Sequence, residues 1–268
     1  MIGARLRVPC ALLASGDVPL SAEATTYLTR VHRLAVGDTF LAFDPQRGIE
    51  ADAELIEVSK RGCVARIAGI RPASLLPARA VTLIQGACKG DKMDAIVRDA
   101  TELGATRIIP AITARSIARP DAARADRWRR IAVEAARQCG RGDAPIVDAP
   151  ALLPAALALV DGAAVRLCLD PTAATSLGSR LQIVAAATNL AILVGPEGGL
   201  DAAELEAAER AGFERVRLGG FVLRTETVCA AVLGALVVWS DRGEASLQGA
   251  DSSSSGTSGM SRSASDQS

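Results

Sequence analysis

The chain of 268 residues is poor in the side chains from which metal sites and hydrolytic triads are built. It has one histidine, His32, and its six cysteines are scattered with no C-x-x-C pair, so no zinc site is predicted. A Ser-His-Asp or Cys-His arrangement would depend on His32 alone, which lies in a different part of the chain from the glycine-rich loops, so hydrolase chemistry of this kind is not predicted either. Scattered cysteines are typical of a reduced, intracellular protein with small buried thiols.

Long apolar runs and nucleotide-binding signatures are also missing. No run of about eighteen apolar residues occurs, so no membrane-spanning helix is predicted. The apolar segment at 9–14 is too short for a secretory signal and has no convincing cleavage site. Neither GxGxxG nor GK[ST] occurs, which argues against dinucleotide binding and against an enzyme that holds phosphate with a Walker lysine. These absences predict a cytoplasmic protein that does not contact a membrane.

Lysine is scarce, so arginine supplies nearly all of the positive charge. Thirty basic residues balance thirty acidic ones; 27 of the basic residues are arginine, and eight of these lie between Arg115 and Arg141. Arginine pairs with phosphate through a planar fork, which lysine cannot form. A compositional bias explains these arginines equally well, because the chain is rich in alanine and arginine throughout. Composition therefore leaves nucleic-acid binding open. The seven aromatic residues are too few to predict base stacking as the main contact with a nucleic acid.

A change of pattern after residue 70 divides the chain. Before it, short strands surround one helix, and the segment 71–77 then carries two prolines that break regular structure. From Ala80 onward strands alternate with helices, which predicts an α/β fold with a mostly parallel sheet covered on both faces. The predicted parts are an N-terminal domain at 1–73, a C-terminal domain at 74–242 and a disordered Ser/Gly-rich tail at 243–268.

Hydrophobic periodicity places the elements within these parts. Asp201 and Glu204 have the spacing of a capping box, and Gly212 is suited to end the helix that they begin. The predicted strands are 38–44, 51–58, 63–70, 81–86, 107–112, 165–169, 190–194 and 216–218. The predicted helices are 24–34, 92–103, 124–139, 152–160, 201–211 and 226–239.

Two short loops near the end of the chain carry the clearest functional signal. Gly195-Pro196-Glu197-Gly198-Gly199 directly follows the apolar run 191–194, and the segment 218–227 precedes the last predicted helix. A buried strand that ends in glycines and a carboxylate presents bare backbone to a ligand, and ligands of parallel sheets bind at the carboxyl ends of strands. Taken alone, the first loop is explained by a tight turn between a strand and a helix. The second is explained by an ordinary capped helix start. The recurrence of Gly and Glu in two loops flanking one helix favours a shared small-molecule site.

Together with weaker motifs, these loops resemble the RsmE family, the small-subunit rRNA uridine-N3 methyltransferases of the SPOUT superfamily. The matching segments run in order from about residue 5 to 240. They are 33–38, 89–93 (Lys-Gly-Asp-Lys-Met), 101–104 (Thr-Glu-Leu-Gly), 107–110, 115–116, Trp128, 138–141 (Gln-Cys-Gly-Arg), 195–199 and 223–227 (Leu-Arg-Thr-Glu-Thr).

The resemblance implies a fold, a reaction and partners. It implies an N-terminal PUA-like β-barrel that holds RNA and a C-terminal α/β domain whose last segment threads a trefoil knot. It also implies a homodimer that binds S-adenosylmethionine in the knot. The methyl group would go to N3 of a uridine in the decoding region of 16S rRNA. No metal is implied.

The resemblance also assigns roles to residues of this chain. Uridine N3 must lose a proton, so Glu197 or Glu226 is expected to act as the base, with a pKa raised by desolvation. Arg224 is expected to stabilise negative charge on the uracil oxygens or to orient a carboxylate. The expected cofactor-binding residues are Leu169, Asp170, Val194, Gly195, Pro196, Glu197, Gly198, Gly199, Leu218, Gly219, Leu223, Arg224 and Thr227. The expected phosphate contacts are Arg5, Arg7, Arg33, Arg115 and Arg141.

Four positions depart from the family pattern. Tyr27 stands where the family usually has His, His32 where it has Leu, Arg137 where it has an acidic residue, and Phe221 where it often has Arg. Two alternative functions stay open: a SPOUT methyltransferase acting on another RNA position, such as a ribose 2′-OH, or a catalytically silent RNA-binding or assembly protein. Retention of Glu197, Arg224 and Glu226 argues against the silent protein.

Overall fold

The computed structural model describes the backbone of residues 6–251 and the side chains of residues 6–239. It contains an N-terminal part built on a five-stranded sheet and a C-terminal part built on a seven-stranded parallel sheet. The predicted α/β class with a mostly parallel sheet is therefore confirmed. No helix in the described range is long and apolar enough to cross a membrane.

The N-terminal sheet has the strand order β1-β3-β4-β5-β2, and only the β1–β3 pair is parallel. A short helix, α1, begins at the side-chain cap of Ser21 and continues into a π-helical turn at Tyr27–Val31. Two of these strands, β1 and β2, are too short to show a period in the sequence, and neither was predicted. The elements are β1 (Arg7–Pro9), β2 (Gly16–Pro19), α1 (Ala22–Thr26), β3 (Thr39–Asp44), β4 (Ile49–Ser59) and β5 (Gly62–Pro72).

The C-terminal sheet has the order β12-β10-β11-β6-β7-β8, with the two-residue strand β9 also paired to β7. Its strands are β6 (Ala80–Gly86), β7 (Arg107–Ile112), β8 (Ile146–Val147), β9 (Ala151–Leu152), β10 (Val165–Leu169), β11 (Asn189–Val194) and β12 (Glu214–Val216). Its helices are α2 (Lys92–Glu102), α3 (Ala122–Cys139), α4 (Leu153–Ala158), α5 (Leu181–Ala186), α6 (Ala202–Arg210) and α7 (Thr225–Asp251).

Hydrophobic cores cover both faces of this sheet. Leu83 belongs to the core formed with α2, α3, α5 and α7, whereas its neighbour Ile84 belongs to the core formed with α4 and α6. Successive side chains of a strand point to opposite faces, so β6 must be apolar on both sides. This double burial explains why the central strands were recognisable as continuous apolar runs.

The chain crosses the sheet between β12 and α7. β12 lies at one edge, but Thr225, the first residue of α7, hydrogen-bonds to Gln85 of β6 and to Gly195 just after β11 in the middle of the sheet. The segment 217–224 therefore passes over the carboxyl ends of β10 and β11. A knotted path requires such a return, and the trefoil knot itself stays a prediction.

The ends of α6 follow the sequence signals closely. Asp201 accepts a hydrogen bond from the Glu204 N–H, while the Glu204 carboxylate accepts one from the Asp201 N–H, so the predicted capping box is confirmed. The other carboxylate oxygen of Glu204 accepts from the Ala114 N–H at 2.7 Å. Gly212 follows with a φ of +79°, a conformation that favours glycine. This helix start thus also fixes the loop after β7.

Arg141 has a structural role that contradicts its predicted phosphate contact. Helix α3 ends at Gly140, whose φ of +85° turns the chain back toward the end of α2. The Arg141 guanidinium then donates to the carbonyls of Thr101 and Ala105 at 2.7 and 2.9 Å and pairs with Asp143. Arg141 is only 4% exposed, and its donors are taken up by the end of α2 and by Asp143. The motifs at 101–104 and 138–141 are therefore two halves of one helix-capping unit.

The two parts of the chain meet at this same helix-capping unit. Residues 141–144 contact Arg7 and Pro45 of the N-terminal part, and we call this contact the joint. The Gly142 N–H donates to the Leu75 carbonyl and the Ala144 N–H to the Pro45 carbonyl, each at 2.7 Å. Arg7 donates to the Arg141 carbonyl at 3.4 Å and pairs with Glu50, so it is largely buried in the joint instead of facing RNA. The predicted phosphate contact of Arg7 is contradicted for the same reason as that of Arg141.

Three of the four departures from the family pattern contact one another at the joint. The Arg137 guanidinium lies 4.0 Å above the Tyr27 ring and donates to the Tyr27 hydroxyl. The rings of Tyr27 and His32 meet edge to face, with their centroids 4.5 Å apart. Burial lowers the pKa of Arg137 from its ordinary value. The side chains of Tyr27, His32 and Arg137 therefore pack against one another between the N-terminal part and α3.

Helix α7 runs beyond the end predicted for it at 239 and reaches Asp251. The predicted tail, 243–268, thus overlaps this helix in part, and residues 252–268 lie outside the described range. The tail and the domain boundaries stay predictions.

Gly142→Ala should loosen the joint. A Cβ at Gly142 would lie 2.0 Å from Ala73 Cβ and 3.4 Å from Ala73 Cα, so the chain between the two parts must shift. Overpacking of this kind costs about 1–3 kcal/mol in the free energy of unfolding, measurable by denaturant titration. Gly162→Ala is the matched control, because nothing lies within 4 Å of its added Cβ. Equal stability of the two variants would show that the close approach of Ala73 is not a constraint.

Candidate active site

Both glycine-rich loops open onto one cavity of about 860 Å³ at the carboxyl ends of β10 and β11. The expected convergence of the two loops is therefore present in the structure. Of the residues expected to bind cofactor, the lining includes Leu169, Asp170, Val194, the whole 195–199 loop, Leu218, Leu223 and Arg224. Other residues also line the cavity that the sequence interpretation did not place there, namely Lys92, Thr172, Leu200, Leu205, Thr225 and Val228.

A buried amide and a hydroxyl hold the two loops together. Gln85, at the end of β6, is fully buried and donates to the Thr225 hydroxyl at 2.9 Å and to the Gly195 carbonyl at 3.3 Å. The Thr225 hydroxyl donates in turn to the Gly195 carbonyl at 2.8 Å. Each loop is thereby fixed to the other and to the central strand. Gln85 carried no sequence signal, because a glutamine at a strand end has no distinctive pattern.

Close backbone packing supports the same contact. A Cβ on Gly86 would lie 2.4 Å from both the backbone nitrogen and Cδ of Pro196, so no larger residue fits there without moving the loop. A Cβ on Gly198 would lie 3.0 Å from the Arg115 Cβ. The first loop is thus seated between the end of β6 and the loop after β7.

Glu197 is held ionised by the motif at 89–93. Its Oε1 accepts from the Lys89 N–H at 3.3 Å and lies 3.2 Å from the Lys92 ammonium. Burial would raise the pKa of Glu197, but hydrogen bonds from its own backbone N–H, from Lys92 and from Lys89, with the Lys92 charge, together lower it below the ordinary 4.5. The raised pKa expected from desolvation is therefore wrong, because the sequence did not reveal the pairing with Lys92.

Two arginines of different character line the cavity. Arg115 donates to the Gly198 carbonyl at 2.9 Å, which places this predicted phosphate contact against the first loop. The exposed Arg224 side chain has no hydrogen-bond or ion-pair partner among the described residues. A free guanidinium in a cavity wall is available to a negatively charged group.

Asp170 shapes the third wall of the cavity. Its carboxylate accepts from the Arg215 Nε at 2.8 Å and from the Thr172 N–H and hydroxyl at 2.9 Å each. Burial would raise the pKa of Asp170, but the bonds from Thr172 and Arg215 outweigh it and lower the pKa. The carboxylate is thus committed to the turn after β10, and the cavity wall there is a fixed surface.

Three expected site residues do not line the cavity. One carboxylate oxygen of Glu226 is buried without a hydrogen-bond partner within the described range, and the charge of Glu226 helps to raise the pKa of the Cys88 thiol. Thr227 is exposed on the first turn of α7. Gly219, with a φ of +72°, bends the second loop. Their assigned roles stay predictions.

Thiol and metal chemistry find no support among the described residues. Burial, followed by the charge of Glu197, raises the pKa of the Cys88 thiol to about 12, so this neighbour of the cavity stays protonated. All six cysteines are unpaired, and four of them are buried. No group of three or more His, Cys, Asp or Glu that could hold a metal ion occurs in residues 6–239.

The remaining predicted phosphate contacts, Arg33 and Arg5, differ in whether the structure describes them. Arg33 is exposed and has no partner in the described structure, and it lies close to Arg30, which is also exposed and unpaired there. Arg5 lies outside the described residues. Because Arg7 and Arg141 are buried in the joint, the predicted phosphate contacts that stay exposed within the described range are Arg33 and Arg115. Arg30, Arg61 and Arg124 are further exposed arginines there.

Comparison with known proteins decides the family. The model of an RNA methyltransferase domain matches residues 75–237, and that of an RNA methyltransferase PUA domain matches residues 20–68. The ribosomal RNA small subunit methyltransferase E of Synechocystis sp. is 32% identical over 238 residues, covering 87% of this chain and 78% of the relative. Its counterpart in Mycobacterium bovis is 37% identical over 200 residues, covering 71% and 74%. The chain belongs to the RsmE family.

A solved RsmE structure has the same fold. The enzyme from Neisseria gonorrhoeae, bound to S-adenosyl methionine, matches with a TM-score of 0.76 and 31% identity, covering 87% of this chain and 95% of that one. The predicted family, the PUA-like N-terminal domain and the SPOUT-type α/β fold are confirmed. The chain is an RNA methyltransferase of the RsmE family.

Thr225→Val should weaken ligand binding at the cavity. The change removes the hydroxyl that bridges Gln85 and Gly195 but keeps the shape of the side chain. Loss of a buried hydrogen bond costs about 1–2 kcal/mol, or roughly five- to thirtyfold in the Kd for S-adenosylmethionine, measured by calorimetry. Thr225→Ser restores the hydroxyl and should bind as the parent does. If Val and Ser variants bind equally tightly, the bridge does not order the loops.

Proposed function

We propose that this protein transfers a methyl group from S-adenosylmethionine to N3 of one uridine in the decoding region of 16S rRNA. The observation that carries the proposal is the convergence of both glycine-rich loops on one cavity that also contains Arg224 and Glu197. Membership of the RsmE family supports the class of reaction, and the Neisseria relative binds S-adenosyl methionine.

The cavity has the size and the donors that this cofactor needs. Within the described range, the N–H groups of residues 218–224 make no hydrogen bond, so they are free to meet the edge of a purine and hydroxyl groups. Leu169, Val194 and Leu218 supply apolar walls for a ring. When bound here, S-adenosylmethionine supplies an electrophilic methyl carbon on a sulfonium. The protein's task is then to place the acceptor nitrogen in line with that carbon.

Arg224 and Glu197 are assigned different electrostatic roles in the transfer. Uridine N3 becomes a nucleophile only after losing its proton, and the negative charge spreads onto the uracil oxygens. The unpaired guanidinium of Arg224 can stabilise that charge. Glu197 is ionised and lines the cavity, whereas Glu226 does not line it, so Glu197 is assigned the role of proton acceptor.

RNA and a second copy of the chain complete the assembly in this proposal. Arg30, Arg33 and Arg115 are exposed and are assigned to RNA phosphates. A homodimer is supported by Val237 and Val238, which α7 exposes by 41% and 60%. Cytoplasmic localisation and the absence of a required metal stay predictions.

The test is labelled methyl transfer onto small ribosomal subunits, and separately onto naked 16S rRNA, from cells that lack this protein. Mass spectrometry then maps the modified nucleotide. The expected product is one N3-methyluridine in the decoding region. Methylation of a ribose 2′-OH or of another base would replace the proposal with a different RNA position.

Arg224→Ala should cut methyl transfer at saturating substrate by at least about 100-fold, on the scale of losing one preorganised charge stabiliser. The fold should persist, since the side chain has no partner among residues 6–239. Arg210→Ala is the control, because within the described range Arg210 pairs only with Glu206 on the surface of α6. Turnover of Arg224→Ala near that of the control would remove Arg224 from the mechanism.

Glu197→Gln should lower kcat by about 10²- to 10⁴-fold, the usual range for a general base. Glu226→Gln should lower kcat by much less. Because hydrogen bonds and the Lys92 charge lower the pKa of Glu197 in the free protein from its ordinary 4.5, its protonation should produce no acidic limb above that value in the pH profile of kcat/KM. A limb near pH 6–7 that disappears in Glu226→Gln would transfer the role to Glu226.

A further inference from the structure

Phe221 is the only exposed aromatic residue within residues 6–239. It is 84% exposed, and the other aromatic side chains in this range are buried or half-buried. The neighbouring Val222 is 82% exposed. Two adjacent large apolar side chains in solvent are costly unless something covers them, because each leaves its apolar surface in contact with water.

The position of Phe221 is set by anchors on both sides. On the N-terminal side, the Arg217 N–H bonds to the Thr175 carbonyl; on the C-terminal side, Thr225 is tied to Gly195. Between these anchors, Phe221 and Arg224 both line the cavity. The exposed ring therefore stands at the rim of the site where methyl transfer would occur.

The proposed acceptor atom sets a requirement at this rim. N3 lies on the Watson–Crick edge of uracil, so it is blocked in a base pair, and it cannot align with a methyl carbon in a cavity while the base stays stacked. The base must leave its neighbours in the RNA and enter the site. Proteins hold such an unstacked base by stacking it on a flat side chain and by bonding to its edge.

We propose that Phe221 is the platform on which the target pyrimidine stacks, with Arg224 facing the edge of the same base. The inference rests on the proposed function and adds the residue that binds the substrate base by stacking. It needs no second aromatic residue, because a single extruded base requires a single face. The exposed arginines hold the phosphates, and Phe221 holds the base that reacts.

Three variants of Phe221 distinguish stacking on an aromatic ring from space-filling by any apolar side chain. Phe221→Leu keeps an apolar side chain but removes the aromatic face, whereas Phe221→Tyr and Phe221→Trp keep a face. Ile146→Ala, at an exposed isoleucine of β8 that does not line the cavity, is the control for loss of exposed apolar surface. For each protein, initial rates are measured against small-subunit concentration, the Kd for S-adenosylmethionine by calorimetry, and the mass in solution by light scattering.

Stacking of one base is worth about 1–3 kcal/mol, which corresponds to roughly five- to 150-fold. We therefore expect Phe221→Leu to lower kcat/KM for the RNA substrate by at least about tenfold. Phe221→Tyr and Phe221→Trp should stay within about threefold of the parent, and all variants should keep the parent's cofactor Kd and mass. Parent-like kcat/KM in Phe221→Leu overturns the proposal.

Other results overturn it by assigning Phe221 a different partner. A change of mass in Phe221→Leu means that the ring packs against a second copy of the chain. A cofactor Kd that weakens in step with the loss of kcat/KM means that the ring covers the cofactor.

A second readout keeps the test independent of the proposed reaction. The parent and variants, loaded with S-adenosylhomocysteine, are titrated with a short single-stranded RNA that contains one uridine among abasic sites. Weaker binding by Phe221→Leu, restored by Phe221→Tyr, supports stacking even if mapping finds no N3-methyluridine, in which case only the proposed reaction fails. Equal binding by all variants overturns the stacking proposal, whatever the reaction.

Discussion

The active site depends on a small hydrogen-bonded group buried under the sheet's carboxyl edge. Gln85 donates to both Thr225 and Gly195, and Thr225 donates to Gly195 as well. These bonds connect three segments that are more than a hundred residues apart at their extremes, namely the end of β6, the loop after β11 and the start of α7. They are the bonds that hold the two loops to each other, whereas the other contacts fix each loop separately to its own neighbours. In a buried environment such bonds also exclude alternatives, since a missing partner leaves a polar atom unsatisfied.

Electrostatic pairing distinguishes the charged residues that build the protein from those available to react. Arg141 and Asp170 have their polar atoms committed to helix ends, turns and opposite charges. Arg224 has no partner in the described part of the chain, although it lines the same cavity as Asp170. Glu197 lies between these cases: Lys92 and Lys89 hold it ionised, yet it still faces the cavity. A charge that is oriented but not fully satisfied is suited to act on a substrate.

The departures from the family pattern fall into two groups with different consequences. Tyr27, His32 and Arg137 contact one another at the joint, so each exchange is accommodated by the others and the site is not affected. Phe221 stands alone at the cavity rim and has no such compensation. Phe221 is exposed and lines the cavity, so it is free to contact a ligand, whereas the other three side chains pack against one another. Sequence comparison alone gave all four the same weight.

The sequence by itself determined the alternation of strands and helices, the ends of α6 and the location of both glycine-rich loops. These features are local, because hydrophobic periodicity, capping residues and glycines act on their own segment of chain. Tertiary structure decided the burial and pairing of Arg7 and Arg141, the direction of the pKa shift of Glu197 and the importance of Gln85. An arginine has the same appearance in a sequence whether it binds phosphate or caps a helix, and a carboxylate's pKa depends on neighbours such as Lys92 that lie a hundred residues away. Burial and pairing are properties of the packed chain, so only the packed chain could assign them.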